Sequence, residues 1–119
     1  MCLEIMRRKI KDIYYIAGIL EGEGCFLTNG SPTIKLSMTD RDIVMRVRNL
    51  MGANKIIHAF KSSLKNGWKQ KYTLTLHGSL AIQWMMTLYP LMGERRRTKI
   101  KEVIEVWKTM RNKQKVEVA

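Results

Sequence analysis

The sequence is poor in cysteine and in long hydrophobic runs. Its two cysteines, Cys2 and Cys25, are too few and too scattered for a disulfide framework or a zinc site. No apolar run approaches the ~18 residues that a membrane-spanning helix needs. The basic residues near the start are not followed by the apolar region and cleavage site of a signal peptide. We therefore expect a soluble, intracellular protein in a reducing compartment.

Acidic residues are also scarce. The chain has 10 Asp and Glu against 22 Lys and Arg, which gives a net charge of +12. From residue 43 to residue 93 there is no acid at all. Protein surfaces normally mix both signs of charge, so this excess predicts a polyanionic partner, most often nucleic acid. An anionic membrane surface is a weaker alternative, because the basic residues fall on predicted strands and not on one amphipathic helix.

The length of 119 residues and the hydrophobic content of 45% are typical of a single folded domain. We predict an N-terminal arm over 1–11, a domain over 12–110 and a polar C-terminal tail over 111–119. Hydrophobic periodicity, turn residues and capping residues predict the elements in order. These are a helix over 12–22, strands over 25–29 and 33–39, a helix over 40–52, strands over 55–62 and 69–76, a helix that opens at 78–79 and is broken at 89–93, and a helix over 95–108.

The most informative stretch is residues 16–24, Ile-Ala-Gly-Ile-Leu-Glu-Gly-Glu-Gly. Gly18 and Gly22 are four residues apart, so they share one face of the first helix. Glycine inside a helix costs about 0.5–1 kcal/mol relative to alanine, and close approach of another backbone is the usual reason to accept that cost. Glu21 and Glu23 lie at the helix C-terminus, where the macrodipole disfavours negative charge. This placement indicates that a cation completes the site.

This nonapeptide resembles the motif of the LAGLIDADG homing endonucleases, with glutamate in place of both aspartates and glycine in place of the second alanine. The resemblance implies an α+β fold of order αββαββα, with a curved four-stranded antiparallel sheet and a C-terminal helix. It implies a site-specific endonuclease that hydrolyses phosphodiesters of double-stranded DNA and depends on a metal ion. The predicted order of elements is consistent with that fold.

The resemblance also implies roles for the acidic residues. In the family the last acid of the motif and the carbonyl before it hold a divalent cation, which here are Glu23 and Gly22 with Mg²⁺ or another cation such as Mn²⁺. Glu21 occupies a position that is mostly structural in the family. Arg95, at the start of the last helix, lies where a basic residue would stabilise charge at the cleaved phosphate, and is the second catalytic candidate.

One copy of the motif supplies one metal-binding acid, whereas cutting both strands requires two. Single-motif members of the family work as homodimers, so the resemblance implies a twofold dimer on a roughly palindromic site. The predicted interface on the first helix consists of Ala17, Gly18, Glu21 and Gly22. The simpler alternative is that Gly18 packs against the sheet of its own chain.

The outward face of the predicted sheet is basic and rich in hydroxyl groups, and a sheet of this kind can enter the major groove. The predicted DNA contacts on it are Lys35, Ser37, Lys55, Lys61, Lys69, Lys71, Thr73 and Thr75. Arg96, on the last helix, is added as a phosphate contact. Two other functions of the same fold stay open: a DNA-binding regulator that does not cleave, and an RNA-binding maturase that assists splicing of an intron.

Overall fold

The computed structural model describes residues 2–28, 30–53, 56–58 and 71–118, and side chains within 9–28, 30–53 and 71–111. Its helices are α1 (Cys2–Glu23), α2 (Arg41–Met51), α3 (Gly78–Leu88) and α4 (Glu94–Val118). Its strands are β1 (Gly24–Thr28), β2 (Pro32–Met38), β3 (Ile56–His58) and β4 (Tyr72–His77). A short 3₁₀ helix, Tyr89–Leu91, separates α3 from α4. The elements follow in the predicted order, and the α+β class is confirmed.

The two terminal helices are longer than predicted. Helix α1 begins at Cys2 and not at the predicted residue 12, so most of the predicted arm is helical. Helix α4 continues to Val118, beyond the predicted end near Lys108 and through most of the predicted tail. Neither extension contains proline or glycine, so no residue in them obliges the helix to stop.

The sheet is antiparallel, with β1 paired to β2, β2 to β4, and the three-residue β3 to the other side of β4. Strand β2 alternates as predicted: Ile34 and Leu36 are buried and Lys35 is exposed. Because the side chains of a strand alternate between its faces, one face of the sheet enters the core and the other carries the polar residues. The rest of the predicted third strand, 55 and 59–62, lies outside the described residues, as does the start of the predicted fourth strand, 69–70.

A single hydrophobic core fills the space between the apolar face of the sheet and the helices. Its largest fully buried side chains come from α1, β1, β2, α2, β4, α3 and α4, and are Ile16, Leu20, Phe26, Ile34, Leu36, Val44, Val47, Leu74, Met85, Leu88, Ile100 and Val103. Since each of the four described helices contributes to this core, the ends of α1 and α4 are held in a defined relation to β1. No helix in the described part of the chain is long and apolar enough to span a membrane.

Helix α2 is positioned by backbone geometry more than by its capping side chain. Gly52 ends it in the left-handed conformation (φ 76°), as predicted, and its N–H donates to the Arg48 carbonyl. Asp40 occupies the N-cap position of α2, but its side chain makes no capping hydrogen bond. Trp84 ties α3 to the end of α2 by donating from Nε1 to the Met51 carbonyl over 3.0 Å.

Candidate functional site

The site is centred on the junction between α1 and β1. Glu23 is the last residue of α1, and Gly24 is the first residue of β1. The Glu23 side chain is exposed. Among the described residues, it makes neither a hydrogen bond nor an ion pair. The helix therefore ends by presenting an unpaired carboxylate to solvent, next to the peptide carbonyl of Gly22.

Gly24 is what allows the chain to pass from helix to strand without a loop. A Cβ atom at this position would lie 2.7 Å from the Leu20 carbonyl oxygen and 2.8 Å from the Leu20 Cα atom. Leu20 is fully buried, so it has no room to move away. The last glycine of the nonapeptide is therefore required by the backbone of the preceding helical turn, and it sets the direction in which β1 leaves Glu23.

Glu21 is held by the start of α4, which the sequence did not predict. Its Oε2 accepts a hydrogen bond from the Gly93 N–H over 3.1 Å, and its backbone carbonyl accepts two from Arg96, at 3.3 Å from Nε and 3.2 Å from Nη2. Gly93 is close enough that a Cβ there would lie 2.5 Å from Glu21 Oε1. Arg96, predicted only as a DNA contact, thus bonds to its own chain, and the Glu21 carboxylate bonds within the chain as well.

The glycines of α1 lie on an open face. Gly18 and Gly22 are exposed, and a Cβ at either would have no heavy atom of the described residues within 4 Å. The alternative that Gly18 packs against its own sheet is therefore wrong. Ala17, in contrast, is 4% exposed and belongs to the chain's own core, so its side chain is already covered before any partner binds.

Two large exposed side chains extend the glycine face of α1. Ile10 and Tyr14 are 51% and 60% exposed, and they precede Gly18 and Gly22 at intervals of four residues. We call Ile10, Tyr14, Gly18 and Gly22 the open face of α1. A helix surface that combines exposed apolar side chains with helical glycines is suited to contact with another helix.

A groove of about 650 Å³ runs between β1 and the first turns of α4. Cys25 and Phe26 line one side, and the helix supplies the other with Glu94, Arg95, Arg96, Thr98, Lys99 and Glu102. The predicted catalytic residue Arg95 is exposed on this first turn. In the described part of the chain it makes no hydrogen bond or ion pair with Glu23, so the structure does not join the two predicted catalytic side chains directly.

The polar face of the sheet gathers part of the predicted DNA-binding set. Lys35 is opposite Thr75 in the β2–β4 register, and Ser37 is opposite Thr73. The hydroxyl oxygens of Ser37 and Thr73 are 2.8 Å apart and hydrogen-bonded. Lys71, exposed, immediately precedes β4. The predicted contacts Lys55, Lys61 and Lys69 lie outside the described residues.

A threonine–histidine pair at one end of this face was not predicted as functional. Thr33 is 4% exposed, and its hydroxyl donates to the Ser31 carbonyl over 3.0 Å. The same hydroxyl oxygen is 3.2 Å from His77 Nδ1, and which of the two groups donates there depends on the tautomer of the imidazole. Nε2 of the exposed His77 is then the ring atom left for other partners. No spacing in the sequence indicates this pair, whose members are 44 residues apart.

The donor groups at the α1–β1 junction match a hard divalent cation only in part. Mg²⁺ is typically bound by one or two carboxylates together with phosphate oxygens and water. Glu23 supplies one carboxylate and Gly22 one carbonyl. The described residues contain no group of three or more His, Cys, Asp or Glu side chains that could hold a metal by themselves. This donor set fits one side of a shared site, and it does not fit a closed metal site within one chain.

Comparison with solved structures shows which known fold this architecture matches. It is similar to the homing endonuclease I-CvuI in complex with the I-CreI target in the presence of Mg, a complex in which the DNA is not cleaved. The TM-score is 0.66 at 13% identity, over 88% of this chain and 71% of that one. The chain has a homing-endonuclease fold. I-CvuI in complex with its own target in the presence of Ca gives a TM-score of 0.64 at 13% identity, over 92% of this chain and 73% of that one.

The LAGLIDADG resemblance is thereby confirmed at the level of the fold. No protein-family model and no curated protein matches the sequence. At 13% identity the fold is retained although few side chains are shared. The roles of Glu23 and of the sheet residues therefore depend on their chemistry and position in this chain.

Proposed function

We propose that two copies of this chain act together as a site-specific endonuclease that cuts double-stranded DNA with the help of a divalent cation. The observation that carries the proposal is the position of Glu23. It is an exposed carboxylate at the end of a helix whose open face carries glycines, in a fold shared with a DNA-bound homing endonuclease. An unpaired acid at a helix C-terminus is unfavourable by itself, and a cation removes that cost.

Glu23 and the Gly22 carbonyl would hold Mg²⁺, or another cation such as Mn²⁺, together with oxygens of the DNA. When bound, the ion would stabilise charge on the phosphate and on the leaving 3′ oxygen. Pairing of the open faces of two α1 helices would bring both Glu23 residues to the base of one interface, one for each DNA strand. Arg95 would approach the phosphate from the groove beside β1.

The polar face of the sheet would lie in the major groove. Lys35, Ser37, Thr73 and Thr75 occupy adjacent registers of β2 and β4, and Lys71 enters from the strand's start. The remaining predicted contacts, Lys55, Lys61 and Lys69, lie outside the described residues and stay predictions from the sequence. The net charge of +12 supports binding to a polyanion.

The decisive experiment is selection of cleaved sequences from a random duplex library in the presence of Mg²⁺. We expect recovered sites with approximate twofold symmetry, since two identical chains would read two half-sites. Binding of a duplex without cleavage in Mg²⁺ or Mn²⁺ would favour the regulator. Preferential binding of structured RNA over duplex DNA would favour the maturase.

The open face of α1 leads to a prediction about assembly. Gly18→Ala should weaken dimerisation at least tenfold, because a methyl group would separate helices that meet at the glycines. In the single chain the same change has free space, and it should raise helix stability by about 0.5–1 kcal/mol. Analytical ultracentrifugation over a dilution series measures the first effect. Gln83→Ala, at an exposed position of α3, is the control. An intact dimer with a higher melting temperature would contradict the proposed interface.

The polar sheet face leads to a prediction about salt dependence. If Lys35 contacts a phosphate, Lys35→Ala should reduce the slope of log K against log salt concentration by about one per chain. Fluorescence anisotropy with a labelled duplex at several salt concentrations gives this slope. Lys108→Ala, exposed on α4, should leave it unchanged. An equal change for both variants would mean that Lys35 adds only to the overall charge.

A further inference from the structure

We propose that Arg96 is a positioning residue that holds the end of α1 in the geometry needed for cation binding. Its guanidinium contact with Glu21 and the contact of Glu21 with Gly93 together form what we call the latch: Glu21, Gly93 and Arg96. The inference rests on the proposed nuclease function and adds to it a determinant that lies outside the nonapeptide.

The first arm of the latch acts on the backbone. The last four carbonyls of an α-helix have no partner within the helix, and the Glu21 carbonyl is one of these in α1. Nε and Nη2 of Arg96 both donate to it, at 3.3 Å and 3.2 Å. Two donors in one rigid plane fix the direction of this carbonyl. A lysine ammonium has the same charge but lacks this planar pair.

The second arm acts on the side chain of the same residue. The Gly93 N–H donates to Glu21 Oε2 over 3.1 Å, and the missing Cβ of Gly93 leaves the space in which the carboxylate lies. The backbone and the side chain of Glu21 are thus both held by the start of α4. Gly22 and Glu23, the proposed cation ligands, follow directly in the chain. Holding Glu21 therefore restricts the peptide planes that set both ligands.

The latch also improves the electrostatics of the helix end. A guanidinium at a helix C-terminus interacts favourably with the macrodipole. Its contact is with Glu21, one of the two acids of the motif, and Glu23 follows two residues later in the chain. Arg96 uses two of its five N–H groups on Glu21, so its main bonds are within the protein. A residue that only contacted phosphate would not need these bonds within its own chain.

The main test compares Arg96→Lys with Arg97→Lys, its exposed neighbour on α4, on the selected duplex. We expect Arg96→Lys to lower the single-turnover cleavage rate at saturating duplex by about tenfold or more, since small misplacements of catalytic groups cost up to about a hundredfold. It should also raise the Mg²⁺ concentration for half-maximal rate. Duplex affinity without metal should stay within about twofold for both variants. An unchanged rate and Mg²⁺ dependence for Arg96→Lys would overturn the latch.

A second set of variants separates positioning from general stability. Gly93→Ala places a methyl group against the Glu21 carboxylate and should reproduce the Mg²⁺ effect of Arg96→Lys. The double variant should lose no more rate than the more affected single variant, because both changes disrupt the same set of contacts. Glu21→Leu removes the acceptor of the Gly93 N–H and should lower the rate as Gly93→Ala does. Glu21→Gln keeps an oxygen that can accept from Gly93, so it should recover most of the rate that Glu21→Leu loses. Additive losses or failure of the amide to rescue would overturn the proposal.

A readout that does not depend on cleavage is Mn²⁺ binding to the complex with an uncleavable duplex, followed by electron paramagnetic resonance. Arg96→Lys should bind Mn²⁺ several-fold more weakly than wild type, and Arg97→Lys equally well. If the wild-type protein cuts DNA but Arg96→Lys binds Mn²⁺ as tightly as wild type, only the latch is wrong. If it cuts no duplex in Mg²⁺ or Mn²⁺, the proposed function is wrong. In that case hydrogen exchange at the amides of Glu23 to Cys25 tests the latch. Equal exchange rates in Arg96→Lys and Arg97→Lys would overturn it.

Discussion

Glu23→Gln should abolish detectable cleavage while leaving duplex binding within about threefold of wild type. The amide has nearly the same size as the carboxylate but no charge, so it binds a hard divalent cation much more weakly. Loss of one such stabilising group typically lowers the rate by about 10²- to 10³-fold. The effect on affinity should be small, because Glu23 is an acid and contributes no attraction to phosphate. Single-turnover cleavage and fluorescence anisotropy on the same duplex measure the two quantities.

Glu105→Gln is the matched control for this experiment. Glu105 is also an exposed helical glutamate, and its replacement removes the same charge from the chain. It should leave cleavage unchanged. If both variants cut DNA at the wild-type rate, Glu23 is not a ligand of the catalytic ion, and the proposed metal site at the end of α1 is wrong although the protein is a nuclease.

Gly24→Ala should lower the free energy of unfolding by about 1–3 kcal/mol, the range typical of forced overpacking. The added methyl group would approach the carbonyl oxygen and Cα of Leu20 to 2.7 and 2.8 Å. Both are backbone atoms of a fully buried residue, so no side-chain rotation relieves the contact. Either the end of α1 or the start of β1 must shift. Urea unfolding followed by circular dichroism, with the slope compared between variants, measures the loss.

Gly22→Ala, two residues earlier, is the comparison that gives this prediction its meaning. Within the part of the chain that the structure describes, a Cβ at Gly22 would meet no heavy atom within 4 Å. At concentrations where the chain is monomeric, this variant should be as stable as wild type or more stable. Equal losses of unfolding free energy for Gly22→Ala and Gly24→Ala would mean that the two glycines do not differ in their structural roles. The close contact of Gly24 with α1 would then not be the source of its effect.

Much of the fold follows from local pattern. The alternation of Ile34, Lys35 and Leu36 gave the buried and exposed faces of β2, and Gly52 ended α2 where expected. These features depend on neighbouring residues, so they are visible in the sequence. The outer boundaries of α1 and α4 were wrong because the prediction started the first helix at Asp12 and assigned the polar residues from 111 to a tail. Composition does not stop a helix in the absence of proline or glycine.

The candidate site divides in the same way. The nonapeptide was enough to single out Glu23 as a candidate ligand, and the shortage of acids was enough to predict a polyanionic partner. The first depends on contiguous residues and the second on a count of charged residues, and a sequence gives both directly. The orientation of Ala17 into the core was missed, because helical periodicity alone leaves the width of the buried stripe open.

Only the tertiary structure showed that Glu21 is bound by Gly93 and Arg96 and that Thr33 contacts His77. It also separated the glycines of the nonapeptide. Gly24 must be glycine because of its close contact with Leu20, whereas Gly18 and Gly22 lie on an open helix face. Glu21 and Arg96 are 75 residues apart, and Thr33 and His77 are 44 apart. Such contacts form because the sheet register and the shared core bring distant segments together. A single sequence records the identities of these residues but not their distances, and the distances decide which of them act together.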